Sequence, residues 1–298
     1  MNIIANRKIF FVCSGALIFS SLVLFFTQGL KLGIDFTGGT LMEINLQSAS
    51  LSKEEARKIL SEMEIKGLNV QFSSEGSVLV RFASLGDEEN IVVEKKIEEK
   101  IAGAQVVRTE FISSMISSEL RNKTIQALFF AIVGIIAYIA WAFRKVSYPV
   151  KSWKYGVAAV VALAHDVIIT VGVFVLLGKF LGTEVGISFI AALLTILGYS
   201  VNDTIVVFDR IRENLLRAGS KENFEETINK SVNETLGRSI STSLTVMLVL
   251  LAIVIWGGAS LFEFSLALLL GVFFGTYSSI FVASALVVEL WEKSRNKN

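Results

Sequence analysis

The sequence contains one cysteine, one proline and one histidine among its 298 residues. A single cysteine excludes an internal disulfide framework and a metal site built from cysteines. We interpret Cys13, which falls in an apolar run, as a small buried side chain. The net charge of +1 gives no reason to expect nucleic acid among the partners. Hydrophobic residues make up 53% of the chain and the mean hydropathy is +0.62, which indicates an integral membrane protein.

Six apolar runs are long enough to cross a bilayer, which takes about 20 helical residues. They are 9–27, 125–143, 155–177, 185–208, 239–256 and 264–288. The first run exceeds the apolar core of a signal peptide and lacks a small-residue cleavage site, so we interpret it as an uncleaved anchor. The predicted organisation is a cytoplasmic segment with helix one (1–28), an exoplasmic domain (29–123), helices two to six with an amphipathic link at 209–238 (124–290), and a cytoplasmic tail (291–298).

The orientation follows from lysine and arginine in the short connections, which stay on the cytoplasmic side. Segments 7–8, 144–154, 210–238 and 293–297 together hold fifteen of these residues, whereas the short loops on the other side hold only Lys179. Both termini are therefore predicted to be cytoplasmic. The segment 29–123 is predicted to lie outside, because long domains cross largely regardless of charge.

Residues 41–112 predict a small α+β domain. Strands at 41–46, 69–73, 77–82 and 105–111 and helices at 52–60 and 87–101 follow the order β-α-β-β-α-β of a ferredoxin-like unit. Ser52 with Glu55 forms a capping-box signature, and residues 74–76 form a turn. The domain holds no set of residues suited to catalysis, so binding or mechanical transmission is expected. Phe36, Phe72, Phe82 and Phe111 are expected in the core.

The segment that precedes the domain contains Gly33, Asp35, Phe36, Gly38 and Gly39. Its glycines release backbone restraints where the chain leaves the membrane. The residues alone leave two interpretations open: a coupling hinge or an ordinary glycine-rich linker.

The fourth run carries a carboxylate, Asp203, next to Asn202. Intramembrane carboxylates cost about 2.5–3.5 kcal/mol and normally face a bundle interior or a water-filled path. At 100° per residue we expect one polar face, formed by Thr195, Gly198, Tyr199, Asn202, Asp203, Val206, Asp209 and Arg210. The opposite face, with Leu193, Leu194, Leu197, Val201, Thr204 and Phe208, is expected to meet lipid. Asp203 is either a proton relay or a carboxylate that fixes packing.

Other polar residues in the helices are further candidates. Asp166 lies at the middle of the third run beside His165, and each is either a proton relay or an interhelical contact. Arg238 begins the fifth run and either modulates Asp203 or extends to the interface.

The link between helices four and five is predicted to form an amphipathic helix through Phe224, Ile228 and Val232. A stripe of small residues in helix six is predicted to pack against helices four and five or a partner: Ala267, Gly271, Gly275, Ser278 and Ala285.

Four ordered motifs resemble the SecF-type members of the SecD/SecF family, in the RND superfamily. They are the glycine segment 33–40, Ala-His-Asp at 164–166, residues 198–213 with Asn-Asp-Thr at 202–204, and residues 233–239. The resemblance extends over essentially the whole chain, and the six-helix layout with a large first loop agrees with it.

The resemblance implies a subunit of bacterial protein export in the cytoplasmic (inner) membrane, without a catalytic site or cofactor and with protons as the coupling ion. It implies pairing with a SecD-type chain in a twelve-helix unit, which helps to pull exported polypeptide outward after the SecA ATPase has driven it through SecYEG. YajC, YidC and membrane lipid are further expected partners. The family's membrane aspartate corresponds to Asp203 and its arginine to Arg238. Asp203, Arg238 and Asp166 form the predicted proton relay. The predicted supporting polar residues are Asn202, Thr204, Tyr199 and His165, and Asp209 and Arg210 mark the predicted cytoplasmic end of helix four.

Two other functions stay open on sequence alone. One is a proton-driven exporter of small molecules or lipids, which predicts an outer pocket lined by aromatic side chains. The other is a non-transporting scaffold of the translocon, which predicts that neutralising Asp203 is harmless. An intramembrane hydrolase is disfavoured, because no paired aspartates or Ser/His dyad are evident.

Overall fold

The computed structural model describes residues 1–46, 52–72, 77–83, 86–142, 150–218 and 223–295. In these ranges the elements are, in chain order, α1 (Arg7–Gln28), α2 (Ile34–Thr37), β1 (Gly39–Asn45), α3 (Lys53–Ser61), β2 (Asn69–Phe72), β3 (Ser77–Phe82), α4 (Asp87–Lys100), β4 (Gln105–Ile112), α5 (Ser114–Ala142), α6 (Ser152–Leu181), α7 (Ile187–Ala218), α8 (Phe224–Trp256), α9 (Gly258–Tyr277), a π-helical segment (Ser278–Ala283) and α10 (Ser284–Arg295). The predicted α-helical bundle with an inserted α+β domain is confirmed.

Within the described ranges, six helical segments are long and apolar enough to span a membrane. They are α1, α5, α6, α7, α8 and the continuous rod of α9, the π-helical segment and α10. The six predicted spans are confirmed, although most helices extend beyond the apolar runs. In particular, α5 begins at Ser114 and therefore includes residues 114–123, which the sequence interpretation assigned to the outer domain. Polar turns at helix ends carry no hydropathy signal, so apolar runs underestimate helix length.

The predicted link at 209–238 is wrong as a separate element. α7 continues to Ala218, and α8 runs without interruption from Phe224 to Trp256. Phe224, Ile228 and Val232 are buried in the core of the bundle. The amphipathic face that the periodicity indicated therefore packs against this chain and does not lie on the membrane surface.

The inserted domain, which comprises residues 39–112, is a four-stranded antiparallel sheet in the order β2-β3-β1-β4 with α3 and α4 against it. This is the strand order of the predicted ferredoxin-like unit. Alternating residues of β1 and β3, such as Met42 and Val80, are fully buried beneath Ile97 of α4. The capping box is confirmed, since Ser52 and Glu55 exchange hydrogen bonds at the start of α3. The predicted turn at 74–76 lies outside the described residues.

The aromatic side chains of the domain are less uniformly buried than expected. Phe82 is 2% exposed and lies in the core, whereas Phe36, Phe72 and Phe111 are half-buried.

Cys13 is exposed on α1, which corrects the expectation of a buried position. An apolar helix does not reveal which of its faces meets protein, because lipid tails are as apolar as a protein interior.

The two ends of the bundle differ in what they carry. We call the end next to the inserted domain the domain side, and the end with both chain termini the terminal side. On the terminal side, Ile3 and Ile4 are buried, and their backbone N–H groups donate to Asn229 Oδ1 of α8 at 2.8 and 3.2 Å. Arg7 forms ion pairs with three carboxylates: Glu225 at 3.3 Å, Glu289 at 2.8 Å and Glu292 at 2.9 Å. The N-terminal segment therefore joins α8 to α10.

Candidate functional site

The two faces of α7 are placed opposite to the prediction. Leu193, Leu197 and Phe208, which were expected to meet lipid, are buried against neighbouring helices of the same chain. Asn202, Gly198 and Thr195 are exposed on the open flank. Hydrophobicity alone cannot separate lipid contact from helix contact, since both environments are apolar. The described part of this chain therefore leaves the flank of α7 that carries Thr195, Gly198 and Asn202 uncovered.

Asp203 lies between the buried face of α7 and its open flank. Its Oδ1 atom accepts a hydrogen bond from Ser239 Oγ of α8 at 2.7 Å. Its Oδ2 atom is buried and accepts no hydrogen bond of ordinary geometry from the described residues, although the Ser279 hydroxyl is near enough to act on the carboxylate. A buried oxygen without a full hydrogen bond is costly for a charged carboxylate, and a proton on that oxygen lowers the cost.

Asp166 of α6 is the second carboxylate within the bundle and is completely buried. Its Oδ2 atom accepts hydrogen bonds from Ser200 Oγ of α7 at 2.6 Å and from Ser278 Oγ at 2.9 Å. Its Oδ1 atom lies 2.9 Å from His165 Nδ1. Three elements therefore converge on this carboxylate, so it orients α6 whether or not it also carries a proton.

Hydroxyl groups fill the space between the two carboxylates. Next to Ser278, Ser279 Oγ lies 2.8 Å from Thr204 Oγ1, one residue after Asp203. Ser278 and Ser279 belong to the π-helical segment, whose wider turn presents consecutive side chains to α6 and α7. Single π-turns within α-helices are frequent at functional sites. Because a hydroxyl both donates and accepts, Ser278 can form a hydrogen bond with Asp166 in either protonation state of that acid.

His165 and Tyr199 lie on either side of this region. The imidazole of His165 is buried and stacks on Tyr277 with 5.9 Å between ring centroids, and its Nε2 atom has no partner in the described part of the chain. Tyr199 donates its hydroxyl hydrogen to Ser243 Oγ of α8 at 3.2 Å. These contacts hold the His165 and Tyr199 side chains in place on either side of the site.

Arg238 lies on α8, on the terminal side of the site. Its side chain is exposed, and its positive charge acts on the Asp203 carboxylate. The next residue, Ser239, is the hydrogen-bond donor of Asp203. It lines a cavity of about 330 Å³ together with Asp209, Arg210, Glu213 and Glu234. Arg210 is held there by Glu234 and Glu213, each at 2.6 Å, whereas the Asp209 side chain is 74% exposed. This charged, solvent-accessible cavity, which we call the vestibule, lies beside Arg238 on the terminal side of the bundle.

The glycine segment forms an ordered turn at the domain side. Gly33 N–H donates to Val185 O at 2.9 Å, and Asp35 Oδ2 accepts from Ile187 N–H at 2.7 Å, at the first residue of α7.

The glycines that follow adopt backbone conformations that favour glycine. Gly38 has φ +75°. Gly39 has φ +123°, and a Cβ atom there would lie 2.6 Å from the carbonyl oxygen of Phe82. Phe36 is half-buried in the single turn of α2. The segment thus connects α7 directly to the start of β1, which is more than a linker provides.

Sequence reasoning missed the hydroxyl groups that serve the two acids, namely Ser200, Ser239, Ser278 and Ser279. The run Gly-Thr-Tyr-Ser-Ser at 275–279, inside an apolar stretch, was the available signal. It also missed the charged contact between Arg81 of β3 and Glu184 and Glu263 of the bundle.

Comparison with known proteins identifies the family. The model for the C-terminal part of the protein export membrane proteins SecD/SecF matches residues 92–293, and the model for the SecD/SecF GG motif matches residues 23–49. The chain belongs to the SecD/SecF family. Its GG-motif match includes the ordered glycine turn, and the C-terminal match includes both membrane aspartates.

Relatives of this SecD/SecF chain include protein translocase subunits SecF. The subunit from Thermobaculum terrenum is 39% identical over 98% of this chain and 94% of its own length. The subunit from Pseudomonas aeruginosa is 35% identical over 97% of this chain and 91% of its own length.

Two solved structures of SecDF are also similar. SecDF from Thermus thermophilus, described as a translocon-associated membrane protein, superposes with a TM-score of 0.85 at 36% identity over 98% of this chain. SecDF in a super-membrane-facing form gives a TM-score of 0.70 at 34% identity over the whole chain. This chain spans 39% of each solved SecDF chain.

Proposed function

We propose that this chain is a subunit of bacterial protein export that couples the proton-motive force to late release of the exported polypeptide. Protons are the coupling ion, and no cofactor takes part. Asp203 accepts and releases the proton. The observation that carries the proposal is the surroundings of this carboxylate: one oxygen accepts a hydrogen bond from Ser239, and the other is buried without a hydrogen bond of ordinary geometry, near the Ser279 hydroxyl.

The surroundings of Asp203 support a route for the proton. On the terminal side, Arg238 lines the charged vestibule. Within the bundle, Ser279 and Thr204 lead toward Asp166 and its hydroxyl donors. Arg238 favours the charged carboxylate when it is near, and its withdrawal favours protonation. Asp166 is the second proton carrier, with His165 beside it.

The partner of this subunit is a SecD-type chain that covers the open polar flank of α7, where Asn202 and Gly198 are exposed. SecDF, in which one chain contains a region like this one, is described as translocon-associated, which supports association with SecYEG. YajC and YidC are additional partners. We place the terminal side in the cytoplasm and the inserted domain outside the inner membrane, where it acts on the emerging polypeptide.

The available energy suffices for such a role. One charge that moves down a potential of 100 mV releases about 2.3 kcal/mol. A shift of about 1.4 kcal/mol changes a two-state ratio tenfold, so one proton biases the position of the inserted domain if coupling is tight.

The test is Asp203→Asn in vesicles that contain the chain with its SecD-type partner and translocon. We expect gradient-dependent release of an exported protein to disappear, while release without a gradient and recovery of the partner stay unchanged. Glu226→Gln, which neutralises an exposed acid of α8 outside the vestibule, is the matched control and retains coupling. Unchanged gradient-dependent release in Asp203→Asn contradicts the proposal and favours a scaffold.

A further inference from the structure

A second group of charged side chains joins the inserted domain to the bundle, far from Asp203 along the chain. At its centre, Arg81 of β3 has a side chain that is only 12% exposed. Its three nitrogen atoms face three different partners. Nη1 donates to Gln71 Oε1 of the neighbouring strand at 3.2 Å, Nε lies 3.5 Å from Glu184 Oε2, and Nη2 lies 3.4 Å from Glu263 Oε1.

The two carboxylates belong to different parts of the bundle. Glu184 lies in the connection between α6 and α7, three residues before α7 begins, and Glu263 lies near the domain-side end of α9. Their side chains are 8% and 12% exposed. Glu184 also accepts a hydrogen bond from Asn69 Nδ2 of β2 and lies 3.8 Å from Lys31 Nζ. The sheet thus contacts both parts through largely buried charges.

The geometry favours a contact that can adjust without being lost. Charge-assisted N–H···O bonds are usually about 2.7–2.9 Å long, so the separations between Arg81 and the two glutamates leave room for movement. The three side chains line one cavity of about 190 Å³. The planar guanidinium offers five donors in a fixed fork, and Gln71 fixes its plane from within the sheet. Arg81 can therefore follow either carboxylate.

Glu263 lies on a continuous helical rod that reaches the candidate site, and Glu184 lies three residues before the helix that carries Asp203. α9 runs without a break from Glu263 to the π-helical segment, a distance of about 22 Å at 1.5 Å per residue. There Ser278 and Ser279 contact Asp166 and Thr204. Glu184 leads directly into α7, which carries Asp203. A small displacement of α7 relative to α9 at the site is thus transmitted to the two carboxylates that hold Arg81.

We propose that Arg81 is the coupling residue through which displacements of α7 and α9 reach the inserted domain, by way of its ion pairs with Glu184 and Glu263. This inference rests on the proposed function, since it assigns the path by which a proton event at Asp203 reaches the domain. Arg81 itself takes no part in proton transfer. It acts as a positioning residue that keeps the sheet engaged with two moving helices.

The experiment measures release of an exported protein per assembled complex, with and without a proton gradient, in vesicles that contain the chain, its SecD-type partner and the translocon. The variants are Arg81→Gln, Glu263→Gln and the charge exchange that combines Arg81→Glu with Glu263→Arg. The exchange keeps one arginine and two carboxylates in the cluster, because Glu184 is unchanged. Lys96→Gln is the matched control, since Lys96 is an exposed cation on α4 of the same domain.

We expect Arg81→Gln to lose gradient-dependent release per complex, and Glu263→Gln to lose part of it. The exchange should restore most of it, and Lys96→Gln should behave like the native chain. Removing Arg81 leaves Glu263 without an ion-pair partner among the described residues and Glu184 with Lys31 alone, so Arg81→Gln can also lower the amount of complex. The exchange variant resolves this case, because it keeps the charges balanced.

Two outcomes overturn the inference. One is native gradient-dependent release per complex in Arg81→Gln. The other is an exchange variant that assembles like the native chain but does not regain coupling. The variant Asp203→Asn, measured in the same preparation, distinguishes a failure of the Arg81 assignment from a failure of the proposed function. If Asp203→Asn loses coupling and Arg81→Gln keeps it, only the assignment of Arg81 fails. If Asp203→Asn keeps coupling, the proposed function fails and the assignment fails with it.

Discussion

Gly271 of α9 faces Ile196 of α7 so closely that a Cβ atom at position 271 would lie 2.2 Å from the isoleucine side chain. The small-residue stripe of α9 therefore packs against α7, as the spacing in the sequence indicated. This contact brings the π-helical segment up to the carboxylates, because Ser278 is two helical turns further along the same rod.

We expect Gly271→Ala to lower the stability of the bundle by about 1–3 kcal/mol, the usual cost of overpacking a filled core. Thermal unfolding of the purified chain in detergent measures the change. Gly198→Ala is the control, since nothing lies within 4 Å of a Cβ atom at that position. Combining Gly271→Ala with Ile196→Val should recover part of the loss, and no recovery would mean that the two residues do not share this space.

Ser239→Ala removes the described hydrogen-bond donor of the Asp203 carboxylate. A hydrogen bond to a charged group contributes about 1.5–3 kcal/mol, so we expect gradient-dependent release to fall by about tenfold or more while assembly is maintained. Ser239→Thr keeps the hydroxyl and should retain most activity. Ser241→Ala, at an exposed position on the same helix, should have no effect. Equal losses in the alanine variants at 239 and 241 would exclude a specific role for the Ser239 hydroxyl.

Arg7→Gln removes the positive charge that three carboxylates share on the terminal side. Glu225, Glu289 and Glu292 would then repel one another, and their partial exposure, with side-chain values of 31–38%, moderates the cost. We expect a loss of about 1–3 kcal/mol in the free energy of unfolding. Lys8→Gln, an exposed neighbour, tests for a nonspecific charge effect. A native unfolding temperature in Arg7→Gln would show that the cluster contributes nothing to stability.

The start of α3 should weaken in acid. Hydrogen bonds from the backbone and hydroxyl of Ser52 hold the pKa of Glu55 below its ordinary value. Such a group stabilises the fold above its unfolded pKa, and the contribution is lost as the pH falls through the lower folded value. Hydrogen exchange of the α3 amides across this range should become faster as the pH falls, after correction for the intrinsic rate. Glu55→Gln should remove the extra pH dependence and Glu54→Gln should keep it.

The parts of the fold that depend on local patterns were predictable. Apolar runs indicated six spans, and alternation with the Ser52–Glu55 signature indicated the inserted domain. The orientation of α7 was not predictable, because Leu197 or Phe208 looks the same beside lipid and beside another helix. The contact between Arg81 and Glu263 joins residues 182 positions apart, and neither residue belongs to a local motif. Asp203 was identifiable from its cost in a membrane, whereas Ser239 and Ser279 became visible only through the distances that join them to their partners.

The length of α8 has a mechanical consequence. Its 33 residues reach about 50 Å, whereas the hydrocarbon core of a bilayer is about 30 Å thick. The part before Arg238 therefore extends about 20 Å on the terminal side, beginning next to the hydroxyl that holds Asp203, and it packs through Phe224, Ile228 and Val232 against the rest of the chain. A tilt of about 5° at Arg238 would move the far end of this segment by nearly 2 Å. The stacked rings of Phe224 and Trp291 would carry that displacement to α10.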